Sequence, residues 1–186
     1  MGTLKVQMLA RLVAAVVLLN LVAGAALARD FTAAEKDALA ARVDAFGLAM
    51  SAKDYDTVLG VTPPRIHQMM AAKAGITVAE LRSMVVGIME EAMAVVTIER
   101  FATDLDATRY AVAGDGAPYA LIPTEVVLDA GENGRFLTKS ETLAFIDEGV
   151  WYLVRVDEIQ QVIMLRDAYP QFVGVEFSSG STQALQ

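Results

Sequence analysis

The chain has 186 residues, 55% of them hydrophobic, with no cysteine, one histidine and a formal net charge of −8. Without cysteine there is no disulfide, no thiolate nucleophile and no zinc–sulfur site. The excess of acid repels phosphate backbones and anionic lipid unless a local basic patch offsets the field; the basic residues are scattered, so no nucleic-acid partner is expected.

The first 28 residues have the layout of a cleavable secretory signal. Lys5 and Arg11 give a basic start, Leu12–Leu19 continues as an apolar run to Ala23, and Ala26-Leu27-Ala28 matches the A-x-A cleavage pattern. The competing reading is an uncleaved anchor, but Asn20, Gly24 and the many alanines make a poor membrane span. Cleavage leaves a mature chain from Arg29, periplasmic or secreted and no longer attached to a membrane. Taking Lys5 and Arg11 from the 15 basic residues leaves 13 against 23 acidic ones. The lack of cysteine suits a bacterial periplasm.

Helical signals fill the first half of the mature chain. Thr32-Ala33-Ala34-Glu35 is a capping box, and Leu39, Val43, Phe46 and Met50 recur at helical spacing, which predicts a helix to about Ser51–Lys53. Asp54-Tyr55-Asp56 opens a short turn of helix through Leu59. Thr62 is the expected cap of the next helix, with Pro63 or Pro64 in its first turn and Gly75 at its left-handed end. A second box, Thr77-Val78-Ala79-Glu80, launches what reads as the longest helix, with Leu81, Val85, Ile88, Ala92 and Val95 on one stripe.

From about Val95 the period becomes alternating. Strands are predicted at Val96–Asp104, Thr108–Ala113, Tyr119–Asp129, Phe136–Ile146 and Val150–Val156, joined by turns such as Asp115-Gly116 and Asp147-Glu148-Gly149. Connections this short give an antiparallel meander. Ile159–Ala168 reads as a closing helix and 178–186 as a flexible tail. The expectation is one α+β domain over 29–177, its three main N-terminal helices laid on one face of a curved sheet.

The first helix running into Ala49-Met50-Ser51-Ala52-Lys53-Asp54-Tyr55, the further helices before the sheet, and the hairpin Leu143-Ala144-Phe145-Ile146-Asp147-Glu148-Gly149-Val150-Trp151-Tyr152-Leu153 together resemble the nuclear-transport-factor-2-like superfamily, which includes ketosteroid isomerase and SnoaL-like proteins. The resemblance implies a cone-shaped α+β fold. It implies no single function, because the superfamily hosts isomerases, dehydratases and adaptors. The grouping of helices before strands and the closing helix depart from its usual plan.

Chemistry-bearing residues are sparse. His67, the lone histidine, and Asp56 are the acid–base candidates should the chain be an enzyme; no G-x-S-x-G elbow accompanies the histidine. The pairs Asp54/Asp56 and Asp104/Asp106 sit where caps and turns favour aspartate, so no metal site is expected. An isomerase would draw on Asp56, Asp104, Glu125, Tyr55, Tyr110, Tyr119 or Tyr152, none of them in a matching motif. On the strand Phe136–Ile146 the hydroxyls of Thr138, Ser140 and Thr142 share one face, with Lys139 and Glu141 on the other, wet one. With Thr97, Thr124 and Tyr152 they form the candidate lining of a ligand pocket; the bland alternative is threonine as an ordinary strand residue facing water. The methionines at helical spacing read as core filler. The leading expectation is a cofactor-free, non-catalytic binding or interaction module holding a small apolar or weakly polar ligand or a protein partner. The alternative is a SnoaL- or ketosteroid-isomerase-like isomerase or hydro-lyase. A homodimer through the outer sheet face is a third.

Overall fold

The computed structural model describes residues 31–185. The segment read as an export signal, 1–28, lies outside them. Four helices come first: α1 (Ala33–Ala52), the short α2 (Tyr55–Leu59), α3 (Pro64–Ala74) and α4 (Val78–Val95). Strands β1 (Thr97–Thr103), β2 (Arg109–Val112), β3 (Pro118–Asp129), β4 (Arg135–Asp147) and β5 (Val150–Arg155) follow, then α5 (Ile159–Ala168) and β6 (Ser181–Leu185).

Local chemistry sets the helix limits. Both capping boxes close: the Glu35 N–H donates to Thr32 Oγ1 at 3.2 Å while Thr32 N–H donates to the Glu35 carboxylate at 2.9 Å, and Thr77 and Glu80 repeat the exchange. These bonds satisfy first-turn donors that no carbonyl can reach. Gly75 ends α3 at φ 69. The start of α3 differs from expectation: Pro63 occupies the cap position with no side-chain bond, so Thr62 does not cap it, and Pro64 follows where a missing N–H costs nothing. With 20 residues, α1 is longer than the 18-residue α4.

The sheet is antiparallel and curled, with β3 and β4 as its long centre, paired from Tyr119↔Phe145 to Asp129↔Arg135. It is not the simple meander expected. Strands β1 and β2 pair with β3 and not with each other: Thr103 faces Thr124 and Arg109 faces Leu121. They run in the same direction, as one strand interrupted at 104–108. Asp104 stabilises the interruption by accepting the Ala107 N–H at 2.9 Å. On the far side of β4, β5 pairs only from Thr142 to Asp147, leaving the ladder from Arg135 to Lys139 open. The segment expected to fray supplies β6, which takes those bonds.

Both faces of the sheet are covered. Leu39 and Val43 of α1 pack on Ala120, Ile122, Ala144, Trp151 and Leu153 of the inner face. The three main N-terminal helices were expected on one face, but Leu143 and Phe145 point outward and need cover, part of which α3 itself gives. Leu165 of α5 supplies part of it, Tyr169 and Phe172 beyond α5 supply more, and Ile66 of α3 packs in the same cluster. The Tyr169 hydroxyl donates to Asp147 at 2.7 Å, and burial, then this bond, holds its phenol well above the ordinary range. Likewise the outer face of β4, expected to be wet, is wet only in part. Glu141 is paired with Arg109, accepts the Ser178 N–H at 3.1 Å, and keeps 13% of its side chain exposed.

Packing of α4 is shallow. Leu81 is its one buried residue, and Met84, Ile88 and Val95 are exposed. Met84 is therefore not the core filler its spacing suggested. No described helix is long and apolar enough to cross a membrane.

Candidate functional site

The paired alanines Ala120 and Ala144, both fully buried, let the first half of α1 settle close to the sheet. Beyond them, β3 and β4 continue past the reach of that contact. Toward the far end of α1, Phe46 packs edge-on against Phe101 of β1, with ring centroids 5.3 Å apart, and with Met50 it overhangs a hollow of about 450 Å³. Val58, Val61 and Thr62 wall one side of it, and Ile98 and Phe101 of β1 wall the other. Its floor is the inner face of β3 and β4, where Val126 and Leu128 stand beside Thr124, Thr138, Ser140 and Thr142.

The floor hydroxyls are arranged in a definite order. Thr124, 4% exposed, donates to the Ile122 carbonyl at 3.2 Å, and its oxygen lies 2.9 Å from Thr142 Oγ1. Each hydroxyl has one hydrogen, so the set closes with Thr142 donating to Thr124. Thr138 shares a 3.2 Å bond with Thr182 on β6, so the unexpected strand also steadies the floor. The Ser140 hydroxyl, between them, has no hydrogen-bond partner among the described residues. It is the floor's free donor.

Arg155 is the charged residue of the lining, and it is neutralised. Its Nε and Nη2 donate to the two oxygens of Asp157, each at 2.7 Å, and the Asp157 side chain is 5% exposed. Neither histidine, aspartate nor glutamate lines the hollow.

Of the six residues expected to form a pocket, Thr124, Thr138, Ser140 and Thr142 come together here. Thr97 does not: it lines a separate surface groove of about 670 Å³ between α1 and β1. Tyr152 does not either. It is paired with Phe145, whose side chain packs in the outer core, and alternation places it on that outer face. The acid–base candidates also lie elsewhere. His67 is half-buried in a smaller hollow of about 210 Å³ with Ile66, Leu81 and Met164; burial first, and Arg82 second, hold its pKa below the ordinary value. Asp56 is exposed and pairs with Arg82 at 3.0 Å, tying α2 to α4. The remaining isomerase candidates are dispersed. Glu125 sits on the outer face between Arg100 and Lys139, and the Lys139 hydrogen bond lowers its pKa. Asp104 holds its turn, Tyr110 packs at a tilt against Phe31, and Tyr119 packs against Phe172.

The sequence reading missed Met50, Met93 and Phe46 as wall residues. For Phe46 and Met50 the signal was present: the apolar stripe Leu39, Val43, Phe46, Met50 continues past Val43, its last buried member. Among the described residues no cluster of three or more acidic or histidine side chains is placed to hold a metal ion. Compared with known proteins, the chain matches no family model, no curated protein and no solved structure.

Proposed function

We propose that this chain is an exported, non-catalytic binding module that holds a small apolar or weakly polar ligand between α1 and the curled sheet. The observation that carries the reading is the composition of the 450 Å³ hollow: apolar walls, a floor with one unpartnered hydroxyl, and no acid or histidine. Its size falls within the usual range for small-molecule sites, which are mostly apolar with a few placed polar groups. The rival reading, a small-molecule isomerase or hydro-lyase, needs a carboxylate or His67 facing the substrate; those groups lie outside this lining. A nuclear-transport-factor-2-like cone is the matching fold proposal. A long first helix crossing a curled antiparallel sheet supports it, as does the Asp147-Glu148-Gly149 turn before Trp151.

The test is native mass spectrometry of the protein purified from the periplasm of its own host, beside Ser140→Phe, which fills the floor. The expected result is a retained small molecule on the wild type and none on the variant, with the mature chain beginning at Arg29. A wild type that retains nothing and binds no apolar probe overturns the binding reading.

A further inference from the structure

The hollow and the surface groove between α1 and β1 are neighbours. They share four lining residues, Met50, Met93, Ile98 and Phe101. Two of the four are methionines, unbranched side chains with three rotatable bonds that move aside at small cost. One comes from α1 and the other from α4, the helix with the shallowest packing. A chain-like molecule can therefore pass between them, with one end in the hollow and the other in the groove.

The two compartments differ in chemistry. The inner one has no unpaired charge, since Arg155 is held by Asp157. In the groove, Glu99 is paired with Arg135 and Arg100 with Glu125. Lys53 has no ion-pair partner among the described residues. It caps α1 one turn beyond Met50, at φ 57. Tyr55, two residues on, also lines the groove. It is 5% exposed, and its hydroxyl is buried without a hydrogen-bond partner. A hydroxyl buried without a partner is costly, so it calls for one that the folded chain alone does not provide. Lys53 and Tyr55 are both donors. Asp44, also unpaired, lies nine residues up α1 from Lys53, on the same groove.

Resting on the binding reading above, we propose that the ligand is a single-chain amphiphile with an anionic head. Its apolar chain lies in the inner hollow past Met50 and Met93, and its head oxygens accept hydrogen bonds from Lys53 Nζ and the Tyr55 hydroxyl. Ser140 is left to meet any weakly polar group along the chain.

The test uses decanoate, 1-decanol and decyltrimethylammonium, each titrated below its aggregation limit into the full-length mature protein by calorimetry. Decanoate binds roughly tenfold more tightly than decanol, the scale of a hydrogen bond to a charged group. Lys53→Gln brings decanoate down to the decanol affinity and leaves decanol unchanged, which also shows that the variant is folded. Tyr55→Phe weakens decanoate by a few-fold and spares decanol. Decanol binding as tightly as decanoate, or the ammonium probe binding best, overturns the anionic head while leaving a binding module in place. If none of the three binds, the binding reading falls and this inference with it.

Discussion

The floor of the hollow offers a quantitative test through its paired hydroxyls. Thr124 Oγ1 lies 2.9 Å from Thr142 Oγ1 and 3.2 Å from the Ile122 carbonyl, and Thr124 is 4% exposed. Valine has nearly the shape of threonine and an equal liking for strands, so replacement removes the hydroxyl and little else. Thr124→Val takes away one donor and one acceptor and leaves the Thr142 hydroxyl facing a methyl group. That should cost about 1–2.5 kcal/mol. Thr142→Val spares the bond to Ile122 and should cost less, about 0.5–1.5 kcal/mol. In the double variant neither hydroxyl is orphaned and two methyl groups join an apolar wall. Its destabilisation should fall short of the sum of the singles by about 1 kcal/mol. Urea titration of the four proteins gives the coupling directly, provided the slopes agree. Strict additivity would show that the two hydroxyls do not bond, and the floor described here would be wrong.

Other predictions concern the frame around the hollow. Because burial and Arg82 hold His67 below its ordinary 6.5, the unfolded chain binds that proton more readily than the folded one. Stability is thus complete above about pH 6.5 and declines as the pH falls toward the depressed folded value; His67→Gln should flatten this part of the profile, and an unaltered slope would contradict it. Arg42 donates to the Trp151 carbonyl at 3.1 Å and to the Gly60 carbonyl at 2.7 Å, bridging α1 to β5 and to the end of α2. Arg42→Ala should cost about 1–3 kcal/mol by thermal or urea unfolding, and Arg42→Lys should recover only part, since one ammonium lacks the planar fork. A Cβ at Gly180 would stand 2.8 Å from the Asp157 Cβ, so Gly180→Ala should lift β6 from β4. Hydrogen exchange would register this as lost protection at Thr182–Leu185 with β3 unchanged.

Much of the fold was legible in the sequence because its signals are local. A capping box names the first turn of a helix from four residues, and both boxes closed as read. Alternation likewise located the strands to within a residue or two. Partner choice was less legible. A short connection reverses a chain only when its residues form a reversing turn. At 104–108 the Asp104 carboxylate instead holds a bend that keeps β1 and β2 in line on β3. The tail misled for a similar reason: Ser178–Thr182 has the composition of a frayed end, but the ladder partners of β6 on Arg135–Lys139 lie 42 or more residues earlier, as in Lys139↔Ser181, where no local pattern can announce them.

The candidate site shows the same division. Thr138, Ser140 and Thr142 could be assigned to one face from their period alone, and Thr124 faces Ser140 across the ladder. Tyr152 was misplaced because its face depends on register: pairing with Phe145 turns it outward, whereas Trp151 and Leu153 turn inward. A hollow, moreover, is a failure of two surfaces to meet, and it belongs to neither sequence segment by itself. The sheet wall carries small hydroxyls where Ala120 and Ala144 no longer bring α1 close, and α4, which borders the gap through Met93, buries only Leu81. Leaving Met50 and Met93 half-buried over an apolar space forfeits packing that one larger side chain on α4 would restore. Filling the space from that side, for example with Met93→Phe, should therefore raise the unfolding midpoint while blocking the passage to the groove, as expected if the space serves a ligand and not the fold.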